Sequence, residues 1–514
     1  MAIAKICGIE TEYGIVLRGH PDPNPIAASS ILISAYLDEL TRNGGMAHGV
    51  PRVGWDFVDE QPDVDARGFS AIGSMPPEVE THLVNAVLTN GARYYVDHAH
   101  PEVSTPECLT PSEAVLYDRA GELIIEESMR RAATRLPAGT ELVAYKNNSD
   151  GKGNSYGCHE NYLVARDVPF GMLGRCITAH FVTRQVFCGA GKVGVEQQRE
   201  AEPAVPYQIS QRADFFEEEV GLETTIRRPI VNTRDEPHAD PLRFRRLHVI
   251  AGDANMSQTA TWLKLGTTAL VLSMIEDGTF PAHLVLADPV TAVRRISHDP
   301  GLRHAVTTED GALRTALDIQ SELCAAATTW LSGVDDDTVG GEGEAIVREW
   351  ARVLDGLATD TRLVQDTVDW VAKQRLVDGY AARHGLPSHD PRLRAIDLQY
   401  HDMRAEKCLA RRAGLVVTVD DRDAASAVSE PPATTRAYFR GECVRRFPDR
   451  IVSANWDGIV FETPEGLVRV PMMDPLKGTR DMTGSLLGSV ADADALIAAL
   501  GGSATERVEG DPGW

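Results

Sequence analysis

The stretch CGIETEYGI, residues 7–15, decides how this chain folds. Its residues alternate, so that Glu10 and Glu12 share one face with Gly8 and Gly14. This period of two predicts a β-strand, because successive side chains of a strand point to opposite faces. Two carboxylates on one face repel each other unless a cation lies between them, and oxygen ligands of this kind suit Mg²⁺. Taken alone, the segment fits an ordinary solvent-facing edge equally well.

A second stretch, ARYYVDHAHPEVSTPEC at residues 92–108, repeats the pattern with more chemistry. Arg93, Tyr95 and Asp97 fall on one face of a predicted strand, and Glu102 follows after a turn. Polar residues that alternate along a strand are often only its hydrated face. That alternative leaves this strand few core contacts, so the convergence of a cation, a phenol and two carboxylates favours a functional site.

Two further stretches add histidines and an arginine. In SYGCHENYL, residues 155–163, His159 lies on an alternating face, although a single histidine there is usually structural. In RFRRLHVIAGDAN, residues 243–255, alternation places Arg246 beside His248, and the alternative is a basic strand paired with acidic neighbours. Arginine binds phosphate oxygens through parallel hydrogen bonds. Because the sequence lacks the spacing of a Walker A loop or a Rossmann fingerprint, it predicts an ATP site across the face of an antiparallel sheet.

The periodicity of the remaining chain predicts an α+β fold. Candidate strands at residues 141–146, 155–164 and 243–251 are interleaved irregularly with helices, which favours an antiparallel sheet over a doubly wound parallel one. Helical patterns cover residues 27–40, 111–136, 257–276, 310–332, 343–358 and 362–384. Thr110 and Pro111 supply an N-cap and a first-turn proline for the second of these helices.

Changes in composition predict two domains. Near residue 431 the pattern changes to short strands, so we expect a large catalytic domain at residues 1–430 and a small C-terminal domain at residues 431–514. Within the large domain, residues 41–80 are rich in Gly, Pro and Asp and lack sustained periodicity. We expect this segment to be a mobile loop insertion near the active site, largely disordered without substrate. Trp55, Phe57 and Phe69 are the expected exceptions, as aromatic anchors that dock transiently over the nucleotide or the amide.

Charge and composition exclude several classes of function. The net charge of −24 argues against a nucleic-acid partner, since phosphate binding needs a clustered basic surface. The chain is 43% hydrophobic and has no apolar stretch of about 20 residues, so we expect no membrane association. The N-terminus lacks a signal-peptide pattern, and the eight scattered cysteines predict reduced, buried thiols instead of a disulfide framework. These features indicate a cytoplasmic protein.

Seven blocks of sequence spread over residues 8–461 carry a more specific signal. They are GIETEYGI (8–15), TNGARYYVDHAHPEVSTPEC (89–108), YKNNSDGKGNSYGCHENYL (145–163), GLETTIRRPIVNTRDEPHAD (221–240), RRLHVIAGDAN (245–255), TRAYFRGECVRRF (435–447) and NWDGIVF (455–461). All seven resemble blocks of the Pup ligase and depupylase family. The resemblance implies a glutamine-synthetase-like fold, in which helices pack on the outer face of a curved antiparallel β-sheet, plus a small C-terminal domain.

The resemblance also implies a role for each matching residue. Asp97 would be the catalytic carboxylate. Magnesium would be held by Glu10, Tyr95 and Glu102, with His159 and His248 as further ligands. The nucleotide, ATP or ADP plus phosphate, would contact Gly8, Glu10, Arg93, Thr105, Arg212, Arg246 and Trp456. Glu12 and Arg440 are secondary candidates.

The activity implied is the ATP- and magnesium-dependent cleavage of amide bonds at the C-terminus of Pup, an acidic, disordered protein modifier. This covers both the isopeptide bond to target lysines and the amide of a C-terminal glutamine. The long segment that contains WDFVDEQPDVDARGF, residues 55–69, resembles the depupylase branch, because the ligase is short there. A Pup–protein ligase, a non-catalytic Pup-binding homologue and a small-molecule γ-glutamyl ligase are the alternatives.

Two further points concern the nucleophile and the Pup site. Attack by Asp97, attack by a water that Asp97 activates, and attack by phosphate all remain open. Candidates for a basic groove that binds acidic Pup are Arg227, Arg228, Arg234, Arg243 and Arg245.

Overall fold

A computed structural model describes residues 2–21, 23–43, 53–57, 60–61, 64–68, 84–196, 204–224, 227–334 and 338–508. The strands are β1 (Cys7–Glu12), β2 (Gly14–Arg18), β3 (Gly54–Trp55), β4 (Asn85–Val87), β5 (Arg93–Asp97), β6 (His100–Ser104), β7 (Glu141–Tyr145), β8 (Cys158–Ala165), β9 (Lys192–Val193), β10 (Tyr207–Gln208), β11 (Phe216–Gly221), β12 (Arg228–Asn232), β13 (Phe244–Gly252), β14 (Ala305–Thr307), β15 (Leu313–Thr315), β16 (Ile451–Ala454), β17 (Gly458–Thr463), β18 (Gly466–Pro471) and β19 (Glu506–Arg507).

The helices are α1 (Pro25–Asn43), α2 (Pro111–Ala133), α3 (Phe170–Thr183), α4 (Gln185–Cys188), α5 (Gln258–Glu276), α6 (Pro289–Ser297), α7 (Ala316–Leu331), α8 (Gly343–Thr359), α9 (Asp369–His384), α10 (Pro391–Tyr400), α11 (Asp421–Ala427), α12 (Ala437–Arg446), α13 (Arg480–Ser489) and α14 (Ala493–Leu500). The predicted start of α2 is confirmed, since the Thr110 side chain accepts a hydrogen bond from the Glu113 backbone N–H and Pro111 occupies the first turn. None of the helices in the described ranges has the length and apolarity that crossing a bilayer requires.

The described strands build one large, mostly antiparallel sheet, which confirms the predicted α+β class. Its order is β13-β8-β1-β6-β5-β4-β3-β16-β17-β18-β19. Its neighbouring strands pair antiparallel except for β3 and β16, which are parallel. The strand β1 is an interior strand of the sheet, third from one edge, and lies between β6 and β8. Its alternating acidic face is therefore inside the molecule and not at a solvent-facing edge.

The helices cover one side of this sheet and leave the other side to the polar residues. The helix α5 is buried on almost every side, and it packs on β8 and against α2, α3 and α8. Below the sheet, Glu160 is fully buried and forms two hydrogen bonds with Arg184, at 2.6 and 2.8 Å. All eight cysteines lie within the described residues as buried, unpaired thiols, as predicted.

The predicted mobile loop at residues 41–80 needs a correction where the structure describes it. Residues 44–52, 58–59, 62–63 and 69–80 lie outside the described residues. Residues 53–57, however, are a packed part of the sheet, because β3 pairs with both β4 and β16, and Val53 and Trp55 are buried in an apolar cluster with the C-terminal strands. The domain boundary near residue 431 remains a prediction.

Candidate active site

The register of the central strands gathers the predicted residues on one face of the sheet. Glu10 lies opposite His159 on one neighbouring strand, and Glu12 lies opposite Glu102 on the other. Glu102 in turn pairs with Tyr95 across the β5–β6 hairpin. Because directly paired residues of a sheet share a face, four strands, β1, β5, β6 and β8, place their polar side chains together.

The first cluster on this face contains Glu10, His159 and His248, whose potential ligand atoms all lie within 4.8 Å of one another. Asn161 Nδ2 donates a hydrogen bond of 2.7 Å to Glu10 Oε1. Burial alone raises the pKa of Glu10, but the hydrogen bond to His159 and the charges of His248 and Arg246 lower it well below its usual range. A carboxylate and two imidazoles are a donor set that suits a divalent cation.

The second cluster contains three carboxylates, Glu12, Asp97 and Glu102, which also lie within 4.8 Å of one another. Burial and then the charges of Asp97, Glu12 and Glu10 raise the pKa of Glu102 well above its usual range. Glu12 shifts the other way, to a pKa of about 2, because His100 and the backbone N–H of Gly157 outweigh its burial. A cation among these carboxylates would remove the repulsion, so the residues present fit bound magnesium.

Asp97 stands at the tip of the β5–β6 hairpin, where the site opens to solvent. Its side chain is 35% exposed and lies 2.9 Å from Nδ1 of His98. His98 has a φ of 53°, a left-handed conformation that is uncommon outside glycine and marks a tight turn. On the other side of the turn the ring of His100 packs against Tyr156 at 4.4 Å. Asp97 is thus the most exposed carboxylate of the second cluster, since Glu12 and Glu102 are buried.

Tyr95 and Arg93 form a stacked pair beside the carboxylates. The Arg93 guanidinium lies between two aromatic rings, 3.9 Å from the Tyr95 centroid and 4.0 Å from that of Trp55. Ser104 Oγ donates a hydrogen bond of 3.4 Å to the Tyr95 hydroxyl. Burial and the charge of Glu102 raise the pKa of Tyr95 well above its usual range, so it stays a neutral phenol. Tyr95 therefore lies beside Glu102, the carboxylate with which it was predicted to bind magnesium. Its role as a metal ligand remains a prediction.

A pocket next to the first cluster collects most of the predicted nucleotide-binding residues. Its lining includes Gly8, Glu10, Thr105, Arg246 and Trp456. A Cβ at position 8 would come within 3.3 Å of Thr105 Oγ1, and that hydroxyl accepts a hydrogen bond of 3.0 Å from the backbone N–H of Ile9. Because Gly8 has no side chain, a ligand can lie close to the strand there. These five predicted residues therefore share one pocket.

The Trp456 ring is held from two sides. It meets the ring of Trp55 edge to face at 5.0 Å, and the Arg440 guanidinium lies 5.0 Å over it. Arg440 is also paired with Glu107, which orients it. Arg440 is therefore a support for Trp456 and does not line the pocket itself.

Arg212 lies apart from that pocket, on the Glu12 side of the site. It is fully buried, and Nη1 donates to the Tyr156 carbonyl at 2.6 Å. Its Nε has no hydrogen-bond partner among the described residues. Burial and the neighbouring charge of Arg228 lower the pKa of Arg212 to about 10, which Glu12 partly offsets. A buried guanidinium with an unmet donor is costly unless an anion completes it.

Several residues at the site were not predicted from the sequence, or were predicted to have another role. Arg228 and Arg234 were candidates for a Pup groove, yet Arg228 donates to the Ser155 carbonyl at 2.9 Å and Arg234 forms a backbone bridge with Asp65. Tyr156, Asn161, His100 and His238 were not singled out as site residues. Arg243 and Arg245 form ion pairs with Asp474 and Asp235. The alternation of residues 155–161 was a signal for Asn161, but the others needed the strand register.

The described parts of the 41–80 segment cross this face of the sheet. Trp55 Nε1 donates to Glu60, which lies 3.9 Å from Arg93. The backbone N–H of Gln61 donates to the Glu236 carboxylate. The segment is therefore attached to the site through β3, through Gln61 and through Asp65, which bridges to Arg234.

Comparisons with known proteins agree on one family. A family model described as "Pup-ligase protein" matches residues 5–460. A protein of Acidothermus cellulolyticus named depupylase is 48% identical, over 97% of this chain and 99% of its own length. A protein of Mycobacterium tuberculosis named Pup deamidase/depupylase is 46% identical, over 96% and 99% respectively. The solved structure of the Pup ligase PafA in complex with ADP superimposes with a TM-score of 0.71 at 33% identity, covering 86% of this chain and 97% of the ligase.

Proposed function

The chain belongs to the Pup-ligase protein family, and from that premise we propose that it is a depupylase and Pup deamidase. It hydrolyses the isopeptide bond between Pup and target lysines and the side-chain amide of a C-terminal glutamine of Pup. Relatives at 46 to 48% identity over almost the whole chain carry these names. Relatives named Pup–protein ligase are less similar and match less of the chain, at 42% identity over 79% of it for the protein of Kineococcus radiotolerans, which favours the hydrolase over the ligase alternative.

The observation that carries the proposal is the pair of clusters on one sheet face. Glu10, His159 and His248 form one, and Glu12, Asp97 and Glu102 form the other. We assign magnesium to these clusters, where it would neutralise charge on phosphate and carbonyl oxygens. A scaffold that only binds Pup has no chemical need for three carboxylates held within 4.8 Å, so the clusters argue against the non-catalytic alternative.

We assign ATP, or ADP plus phosphate, to the pocket lined by Gly8, Thr105, Arg246 and Trp456. The ADP bound to the related ligase supports a nucleotide here. Trp456 offers an aromatic face for the base, while Arg246 offers its guanidinium to phosphate. Arg212, with its unmet donor, is placed to hold a terminal or released phosphate. Arg93 is stacked between two rings, and we propose that it orients Tyr95.

Asp97 is the residue to which we assign the chemical step. Water is consumed, the amide C–N bond breaks, the amine leaves with a proton, and the glutamate side chain becomes a carboxylate. Asp97 either attacks the carbonyl carbon or takes the proton from an attacking group, since it is the most exposed member of its cluster. Arg212 and Arg228 both interact electrostatically with Glu12 of this cluster, and we propose that they stabilise negative charge on the carbonyl oxygen.

The test is incubation of the protein with a Pup conjugate, with and without ATP and magnesium. We expect release of the free target protein only when both are present. The ligase alternative is tested in parallel, with Pup that ends in glutamate, ATP and a lysine-bearing acceptor. Formation of conjugate, together with no release, would contradict the proposal. The eight free thiols fit a reducing compartment, and we place the protein in the cytoplasm.

A further inference from the structure

Arg212 lies on a short segment that a buried aspartate holds. Asp253 Oδ1 accepts a hydrogen bond of 2.8 Å from Ser210 Oγ, and its Oδ2 accepts one of 2.9 Å from the backbone N–H of Gln211. Ser210 Oγ in turn accepts a hydrogen bond of 3.1 Å from the backbone N–H of Arg212. The main chain on either side of Gln211 is therefore fixed, and the position of the guanidinium depends on the side chains around it.

The Gln211 side chain links this segment to the helices α9 and α10. Its Oε1 accepts a hydrogen bond of 2.7 Å from the backbone N–H of Asn148. This fixes the amide orientation, because a backbone N–H can only donate. Its Nε2 therefore donates, to the Gly191 carbonyl at 3.2 Å and to His401 Nε2 at 2.8 Å. His401 must accept through that ring nitrogen.

Lys373 completes the network on the far side of His401. Its Nζ lies 2.7 Å from His401 Nε2, 2.7 Å from the Gly191 carbonyl and 2.6 Å from Asp397 Oδ1. Burial and the charge of Lys373 keep the pKa of His401 well below its usual range, so the imidazole is neutral and its Nε2 is free to accept. The other ring nitrogen, Nδ1, is buried without a partner among the described residues.

The same network reaches the catalytic face through Asn148. Asn148 Nδ2 and Arg212 Nη1 both donate to the Tyr156 carbonyl, at 3.1 and 2.6 Å. The Tyr156 ring packs against His100 at 4.4 Å, and His100 Nδ1 lies 3.5 Å from Glu12 Oε2. Gln211 thus supports both the segment that carries Arg212 and the loop that fixes its acceptor.

We propose that His401, oriented by Lys373, is a positioning residue that acts through Gln211 to hold Arg212 towards the reacting centre. The inference rests on the proposed function, because the position of Arg212 affects turnover only if its guanidinium binds an anion in the site. Burying a polar network costs desolvation free energy, and a network whose hydrogen bonds are satisfied holds its side chains in one geometry. Here the network ties α9 and α10 to a single arginine of the site.

The experiment compares three variants of the full chain. His401→Leu removes the acceptor, whereas His401→Gln keeps an acceptor near the Nε2 position. His180→Leu is the matched control, since His180 is also 0% exposed but hydrogen-bonds to Thr268 of α5 and not to Gln211. We expect His401→Leu to lower kcat for conjugate cleavage about 10- to 100-fold with KM nearly unchanged. His401→Gln should restore most of this loss, and His180→Leu should lower the melting temperature without the loss in kcat.

A double-mutant cycle with Arg212→Met tests whether the effect passes through Arg212. Adding His401→Leu to Arg212→Met should change kcat by less than about 2-fold, because coupled residues are not additive. Full additivity, or equal losses in the His401→Leu and His180→Leu variants, would overturn the inference. If His401→Leu does not fold, Gln211→Glu removes the same donor with little change in shape and should give the same loss in kcat.

The failure of the inference and the failure of the proposed function can be told apart. Calorimetric binding of Mg-ATP to the same variants needs no turnover. Absence of conjugate cleavage by the wild type would contradict the proposed function only. A weaker affinity for Mg-ATP in His401→Leu, restored in His401→Gln, would still support the positioning role of His401. Unchanged Mg-ATP affinity together with unchanged kcat in His401→Leu would contradict it.

Discussion

Asp97 is the residue at which chemistry and folding should separate most cleanly. Its side chain is partly exposed at a hairpin tip, so Asp97→Asn keeps the shape and costs little stability. An amide can neither attack a carbonyl nor accept a proton, and we expect kcat to fall by several orders of magnitude while the melting temperature barely moves. Substantial activity in freshly purified protein, shown by mass spectrometry not to have reverted to aspartate, would remove Asp97 from its role.

Turnover in ¹⁸O-labelled water then separates the two roles of Asp97. Direct attack predicts that label enters the Asp97 side chain over many turnovers, because water opens the resulting anhydride at either carbonyl. Activation of another nucleophile predicts an unlabelled Asp97. Mass spectrometry of the peptide that contains residue 97 reads the outcome.

Glu102 should make the metal-free protein sensitive to pH. Its pKa is raised in the folded state, so the folded protein binds a proton more tightly than the unfolded chain does. Below the pKa of about 4.3 that Glu102 has in the unfolded chain, the group is protonated in both states and does not change the free energy of unfolding with pH. As the pH rises above that value towards the folded pKa, the free energy of unfolding falls. We expect Glu102→Gln to raise the melting temperature in EDTA at pH 8, by on the order of 2 °C, with the gain shrinking towards pH 4.

Magnesium should reverse that comparison. The cation removes the repulsion in wild type but finds one ligand fewer in Glu102→Gln, so added magnesium with ATP should stabilise wild type more. Thermal melts at pH 4, 6 and 8, with EDTA or with magnesium and ATP, give both results. A Glu102→Gln variant that is less stable than wild type in EDTA at every pH would show that the carboxylate is ionised and well paired without a cation.

At the scale of single elements, the two-residue strand β3 matters more than its length suggests. Trp55 is 6% exposed and touches both Arg93 and Trp456. Trp55→Ala should cost roughly 3 to 5 kcal/mol of unfolding free energy. It should also weaken Mg-ATP binding, because the rings that position Arg93 and Trp456 are lost.

A tryptophan elsewhere in the core provides the control for β3. Trp330 is 7% exposed and packs in α7, away from the site. Trp330→Ala should lower stability by a similar amount and leave Mg-ATP affinity unchanged in calorimetry. If both variants bind Mg-ATP equally well, β3 serves the sheet and not the nucleotide pocket.

Across the whole molecule, the nucleotide pocket joins parts of the chain that are far apart in sequence. Its lining combines Gly8 and Arg246 with Arg436, Trp456 and Pro475. Mg-ATP should therefore stabilise the protein, by about 2.7 kcal/mol at 100 times its dissociation constant. Hydrogen exchange should slow in residues 5–12 and in residues 454–475 together, and protection confined to one of them would place the nucleotide elsewhere.

The sequence predicted which residues form the site better than it predicted how the strands bring them together. Period-two alternation was enough to put Glu10 with Glu12 and Tyr95 with Asp97, because strand geometry is local. It could not pair Glu12 with Glu102, or bring Arg228 beside Arg212, since register and chain crossings depend on contacts between distant segments. The same reason explains residues 53–57 of the 41–80 segment, where transient docking was expected and a strand is found: two residues of strand have no period, and they are held by β4, β16 and the apolar cluster around Trp55.

The pairing of β3 with β16 has a consequence for how the protein is made. Gly54 and Trp55 lie about 400 residues before their partners Ser453 and Ala454, so a ribosome must complete most of the chain before the sheet can close. Until then β3 has no partner strand on one side, and the pocket beside Gly8 lacks the residues that the C-terminal strands supply. Unpaired strand edges and exposed apolar surface of this kind favour aggregation and misfolding. We expect release from the ribosome, and not the emergence of the N-terminal strands, to be the moment at which the enzyme first becomes able to bind its nucleotide.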